Sequence, residues 1–420
     1  MHKPSLLYYG DTPNAITGFG NVARHVLGRV LALNRYNITV FGVNEYFNNP
    51  APLPVRTIPA LPNGENDPFG RKKFVDFLFN SDNQFDIWFL QNDIHSWSWL
   101  PEVLSILRSK GRGPSKVFTY TVVDAPLRRE DVWFLNYVDY AGIPSRYGVQ
   151  EILKIDPSLA YKVKHIPHGI DTAEFFPLPA EMVSQFKQKV MGCGPNDFLI
   201  VNVNRNQVRK AIDRTLMFYG HLRKMVPQAR LYLHMEKNEE QYKGWDLLRV
   251  VDTNGSRNTG FLSDVSFPEN FTSNQGTNMR VLNAVYNCAD LVISTTLGEG
   301  FGLTTIEAMA AGRLVMMPDN SSLSELIADD RGIPIPCGVS VDDWTILSSD
   351  AGHPRPLCSI SSMLSLTKDL LQNPSKYEQI RLNGYNWVTS VLPWESVVNL
   401  FIHGFENVLP INSIEGKVQV

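Results

Sequence analysis

The sequence predicts an α/β protein built from two Rossmann-like domains facing a cleft. Three observations predict it. Short apolar runs rich in β-branched residues alternate with helix-period segments along the chain, as in parallel sheets buried on both faces. The rhythm breaks at HIPHGIDTAEFFP (165–177), where prolines and a glycine interrupt it, and then resumes. A length of 420 residues exceeds one small core and suits two domains of roughly 150 to 200 residues.

The elements follow in order. SLLYY (5–9) reads as a buried strand, TGFGN (17–21) opens a turn, and a helix runs from about Asn21 to Leu33. ITVFG (38–42), DIWFL (86–90) and VFTYTVV (117–123) read as further strands. RSKGRGPSK (108–116) is basic but precedes a strand, so it belongs on the amino-terminal edge of the sheet as a solvated loop. A second series comprises FLIVNV (198–203), a helix near 211–225, RLYLH (230–234), ADLVIS (289–294) and LVMM (314–317). YEQIRLNGYNWV (377–388) and PWESVVNLFI (393–402) read as helices. The expected domains are 1–170 and 171–392, with a helix over about 393–408 completing the first and residues 409–420 a mobile tail.

Composition is that of an ordinary globular protein, 43% hydrophobic and 19% charged, and a net charge of −3 disfavours a strongly basic nucleic-acid or anionic-membrane binder. Nucleic acid is kept as a disfavoured partner, and peripheral membrane contact stays open. Cys193, Cys288, Cys337 and Cys358 are scattered without CxxC spacing, so nothing suggests a zinc or disulfide framework, and Cys288 reads as packing. The start has too short an apolar run for a signal peptide, and no 18-residue apolar span appears, so a cytoplasmic protein is expected.

The segment that carries chemistry is GEGFGLTTIE (298–307). A strand-like run precedes it, and Leu303, Ile306, Met309 and Ala310 follow at helical spacing until Gly312. In such a βαβ unit the loop lies at the carboxyl edge of the sheet, where open α/β folds bind ligands. Helix onset near Leu303 or Thr304 leaves the amides of residues 302–305 without intrahelical partners, and the helix dipole favours phosphate there. Gly300 and Gly302 let that phosphate approach the backbone. Glu299 and Glu307 then suit hydroxyls on either side, of a sugar and of a ribose. Singly, each glutamate also reads as ordinary, a solvated loop residue and a first-turn residue.

NVNRNQVRKA (202–211) follows a strand directly, so Arg205 and Lys210 face the same edge. Together they can neutralise a diphosphate and stabilise it as a leaving group. Arg209 is expected at the surface, because its neighbour Lys210 points inward. Gly18 lies in a GxG that lacks the third glycine of a dinucleotide fingerprint, and suits a loop approaching the donor phosphate from across the cleft. Asp124 ends a buried strand. It either orients an acceptor hydroxyl, supports positive charge on a sugar ring, or caps the following turn. Base contacts are expected from loops around 234–262. No DxD pair follows a strand, and AspAsp at 329–330 and 342–343 read as surface loops, so no metal is expected.

With these pieces, the chain resembles retaining glycosyltransferases of the GT-B fold, of the large family 4 type, along nearly its whole length. Glu299 and Glu307 match the E-x7-E motif, Arg205 and Lys210 the diphosphate-binding pair, HGID (168–171) the interdomain linker, and PWE (393–395) the start of the helix that crosses back to the first domain. AsnArgAsn-x-x-ArgLys is similar to a viral or phage-type branch. The resemblance implies that Glu299 contacts the transferred sugar and Glu307 the ribose. It also implies that the amides of Phe301, Gly302, Leu303 and Thr304 hold sugar and phosphate, and that Gly18 approaches the diphosphate. The implied enzyme uses a UDP- or GDP-sugar as co-substrate without metal or other cofactor. It transfers the sugar to a hydroxyl of a glycan, lipid or protein with retention, the donor phosphate helping to deprotonate the acceptor. Transfer to a hydroxylated DNA base and a non-catalytic sugar-nucleotide scaffold are the alternatives. Many members carry histidine where this chain has Asp124, a departure that bears on the acceptor class.

Overall fold

The computed structural model describes residues 3–45, 53–60, 67–80, 83–239, 244–255, 260–273, 276–347 and 352–406. The tail expected at 409–420 lies outside them. The chain divides into two compact units, Met1–Gly169 together with the segment from Trp394 onward, and Ile170–Pro393.

The first unit is a parallel sheet of seven strands: β1 (Ser5–Asp11), β2 (Asn37–Val43), β3 (Arg56–Pro59), β4 (Ile87–Asp93), β5 (Lys116–Val122), β6 (Tyr140–Ile143) and β7 (Val163–His165). Its spatial order is β3-β2-β1-β4-β5-β6-β7, so the winding reverses between β1 and β4. Leu6, Leu7, Tyr8 and Tyr9 of β1 are all buried, which is why that strand reads as unbroken apolar sequence. The first helix is Gly18–Ala32, starting three residues before the expected Asn21. Thr17 is its extended cap and accepts from the Gly20 amide at 2.9 Å, while the buried stripe of Val22, Val26 and Val30 begins one turn later. Hydrophobic periodicity therefore marks the stripe, and the cap marks the true start.

The helix Trp394–Glu406 belongs to this unit. Phe401 lies 4.7 Å from Tyr120, and Phe405 lies 5.3 Å from Phe118 and 5.2 Å from Phe89, centroid to centroid. Gly404 permits that approach, since a Cβ there would sit 2.8 Å from the Phe118 ring. The basic stretch 108–116 is not merely solvated. Arg112 donates to the carbonyls of Leu78, Phe79 and Asn80 at 3.2, 3.1 and 2.5 Å, satisfying the last carbonyls of the helix Arg71–Phe79.

The second unit holds a six-stranded parallel sheet: β8 (Phe198–Val203), β9 (Ala229–His234), β10 (Val265–Ser266), β11 (Leu291–Ile293), β12 (Val315–Pro318) and β13 (Ile333–Ile335). The order β10-β9-β8-β11-β12-β13 reverses between β8 and β11. A two-stranded antiparallel ribbon, β14 (Trp344–Ile346) and β15 (Pro354–Pro356), follows. Cys288 is buried at the end of the helix Met279–Cys288, and burial pushes its thiol up to about 12, consistent with packing.

Candidate functional site

In an open α/β sheet, ligands bind beyond the carboxyl ends of the strands that flank the order reversal. In the second unit those strands are β8 and β11. The loops that leave them carry Arg205 to Lys210 and Gly298 to Gly302. Topology thus brings together two segments about ninety residues apart in sequence.

The 298–302 loop is fixed by backbone and by neighbours. Gly302 caps the helix Leu303–Ala310 at φ 109°, and a Cβ there would meet Leu323 Cδ2 at 2.6 Å. Only glycine fits both constraints. Ser322 Oγ lies 2.7 Å from the Glu299 carbonyl and 2.8 Å from that of Phe301, while the Glu299 amide donates to Ser321 Oγ at 2.9 Å. Asn320 Nδ2 donates to the Leu297 carbonyl at 2.8 Å. Ser321 itself holds φ 54° and ψ −140°, a conformation that costs a non-glycine residue on the order of 1–3 kcal/mol. The Thr305 amide bonds back to the Gly302 carbonyl at 3.0 Å, a tightened first turn, so it is not among the unpartnered donors expected for 302–305.

Lys210 Nζ donates to Glu299 Oε1, and Arg209 Nη1 lies 3.8 Å from Glu299 Oε2. Arg209 also donates to the Gly298 carbonyl. The surface position expected for Arg209 is therefore wrong. Residues 208–210 form a 3₁₀ turn closed by Ala211 at φ 46°, and the Leu297 amide donates to the Arg209 carbonyl at 2.9 Å, so both basic side chains reach the glycine loop. Arg205 lies on the same loop, half-buried.

Glu307 is buried, and its Oε2 accepts from the Tyr286 hydroxyl at 2.8 Å. Burial raises its pKa to about 7; the Tyr286 bond pulls the other way and the neighbouring Glu174 adds to the rise. Gly18 and Asp124 belong to the first unit. Gly18 is the first residue of a helix rather than part of a loop, and Asp124 is half-buried two residues beyond β5. Asp329 and Asp330 sit in a turn with φ 55° and 54°.

Sequence reasoning missed the polar scaffold under these residues. Asn204 Nδ2 donates to Asn202 Oδ1 at 2.7 Å and to Ser294 Oγ at 3.2 Å, and Thr215 and Thr295 share a 2.7 Å bond. Asn206 Nδ2 donates to the carbonyls of Glu236 and Trp245 at 3.2 and 2.6 Å, pinning the loop after β9. The readable signal was polar residues directly after buried strands, STT (294–296) and DNSS (319–322). In the 234–262 region, burial lowers His234 to about 4, and its Nε2 is paired with Thr277 at 3.0 Å. Residues 240–243 and 256–259 of that region lie outside the described ones.

Residues 256–345, which contain the glycine loop and the helix behind it, match the family model for glycosyl transferases group 1. Mannosylfructose-phosphate synthase of Agrobacterium fabrum is 25% identical over 191 residues, 43% of this chain. The match spans 38% of that relative's length. Among solved structures, sucrose-phosphate synthase from Thermosynechococcus elongatus superposes with a TM-score of 0.71 at 16% identity, over 97% of this chain and 99% of that one. The fold is GT-B. A glycosyltransferase from Rickettsia africae gives 0.68 at 15% identity over 98% and 100% of the two chains. The Anabaena protein HepE in complex with UDP-glucose gives 0.67 at 15% over 96% and 100%. In this GT-B chain no helix among the described residues is long and apolar enough to cross a membrane.

Proposed function

We propose that the protein is a retaining glycosyltransferase that moves a sugar from a nucleotide diphosphate to a hydroxyl acceptor. The observation that carries this reading is the convergence of Lys210 and Arg209 on Glu299 at a glycine-capped helix start, beyond the order reversal of the second sheet. The group 1 match, which covers the glycine loop and its helix, and the GT-B fold support it. The donor is a UDP- or GDP-sugar, a choice supported by the likeness to HepE, which was solved with UDP-glucose.

In this reading the lysine and the arginines neutralise the diphosphate as it departs, the electrostatic part of catalysis. Lys210 has three hydrogens to donate, so it can hold Glu299 and a phosphate oxygen together. Glu299 fixes a sugar hydroxyl, and the amides of residues 301–304 with Gly300 and Gly302 receive sugar and phosphate. Glu307 accepts from the ribose. Gly18 and Asp124 are assigned by resemblance alone, to the diphosphate and to the acceptor hydroxyl. The mechanism needs no metal, since cationic side chains and a helix terminus carry the charge.

The test is a panel of nucleotide sugars incubated with the purified protein in EDTA without acceptor, scored for released nucleotide diphosphate. Slow hydrolysis of one donor, lost in Glu299→Gln, supports the assignment. No release and no nucleotide-diphosphate binding across the panel would reject it.

A further inference from the structure

The first unit carries a second constellation that donor chemistry leaves unused. His95 lies in the 3₁₀ turn Ile94–Trp97 directly after β4, one of the two strands flanking that unit's order reversal. His95 Nδ1 meets Asp131 Oδ1 at 2.9 Å, and Asp131 Oδ2 accepts from the Arg128 amide at 2.7 Å. Burial pushes the Asp131 carboxyl upward, but the Arg128 amide and His95 outweigh it and hold it below the usual carboxylate range. An ionised carboxylate has no hydrogen to give, so Nδ1 is the donor, which leaves Nε2 to meet a ligand hydroxyl. The Asp131 side chain is 6% exposed and the His95 ring 45%, an oriented imidazole backed by a buried anchor.

Ser98, three residues on from His95, and Arg129 and Glu130, which precede Asp131, line an open depression of about 410 Å³ together with Trp133 and Phe134. Phe134 is buried and forms the floor, whereas Trp133 is 51% exposed and braced edge-on by Tyr137 at 5.2 Å. A sugar ring presents an apolar C–H face and a rim of vicinal hydroxyls. It therefore needs a flat aromatic plane flanked by fixed donors and acceptors. Trp133 supplies the plane, Arg129 donors, Glu130 acceptors, and Ser98 and His95 either side of a hydroxyl bond. A polyanion would face the Glu130 carboxylate, and an apolar ligand would cover Arg129 and the Arg128–Glu130 ion pair without offering either a polar contact. We propose that this depression is a saccharide subsite that seats a sugar residue of a glycan acceptor, with His95 at its edge binding a hydroxyl through Nε2 and Asp131 positioning His95. The word acceptor rests on the transferase reading; the binding does not.

The test is direct binding of the full chain to an array of immobilised neutral and acidic oligosaccharides, with duplex DNA spotted alongside. At least one saccharide is retained, Trp133→Ala weakens it roughly tenfold or more, as truncation of an indole anchor does, and Trp133→Phe keeps most of the signal. Trp344→Ala, which removes another half-exposed indole, leaves it unchanged. Asp131→Asn weakens binding in the parent chain and has no further effect in a His95→Ala background, because the two act as one unit. Retention of no saccharide, retention of DNA alone, or equal losses in Trp133→Ala and Trp344→Ala would overturn the subsite. A persistent Asp131→Asn effect in the His95→Ala background would overturn the positioning role. The array reads no turnover, so a silent nucleotide-sugar panel would reject the transferase reading without touching this result.

Discussion

Glu299 and Glu307 carry the same group in opposite surroundings. Glu299 has cationic neighbours, Lys210 and Arg209, on the glycine loop, and Glu307 has a phenol and a closed interior. In Glu299→Gln the loop keeps its shape through Ser321 and Ser322 but loses the charge that pairs Lys210; on the proposed transferase reading, sugar transfer is expected to fall by about a hundredfold or more while nucleotide-diphosphate binding stays within a few-fold. Lys210→Ala lowers both. Single-turnover assays beside equilibrium titration separate the two outcomes. For Glu307 the sign follows from its raised pKa: the folded state binds the proton more tightly than the unfolded chain, whose carboxyl titrates near 4.5. Stability therefore drops as pH rises from about 4.5 to about 7 and levels off above it, by roughly 3 kcal/mol in all at 1.36 kcal/mol per pH unit. Glu307→Gln removes that slope, and denaturant melts of both proteins at pH 5 and pH 8 measure it. A difference that stays constant between the two pH values would rule out a titrating Glu307.

Two glycines set against each other show what elements require. Gly302→Ala places a Cβ on Leu323 at φ 109° and costs about 2 kcal/mol or more. Gly28→Ala lies inside the helix Gly18–Ala32 with its nearest neighbour at 3.4 Å, and gains about 0.5–1 kcal/mol. Opposite shifts of the melting temperature are the expected result. The same contrast explains what was legible in the sequence. The strands β1, β2, β4, β5, β8 and β9 announce themselves because both faces are buried, and the βαβ frame around 298–307 follows from periodicity plus glycine. The start of the first helix does not, since Thr17 caps it a turn ahead of the first buried valine. Nor does the inward reach of Arg209, which depends on Ala211 adopting φ 46°, a backbone choice no propensity predicts. Ser321 and Ser322 were invisible for a related reason: their partners lie some twenty residues upstream, and only the adjacency of β11 and β12 brings them together.

At the scale of the molecule, the first unit is discontinuous in sequence and the second is not. Phe401 and Phe405 close the face of Phe89, Phe118 and Tyr120, so Phe401→Ala costs about 3–5 kcal/mol in the unit that contains it. Limited proteolysis of that variant reads cleavage sites before Gly169 well ahead of sites within 170–393; even cleavage across the chain would count against separate units.

Because the helix Trp394–Glu406 is translated after all of Ile170–Pro393, the earlier-made unit is the later one to be finished. On the ribosome the seven-stranded sheet must wait, aromatic face bare, while the second unit emerges and folds. Any pause or premature stop within that interval leaves the aromatic face of the first unit bare beside a second unit still incomplete, a natural client for a holding chaperone.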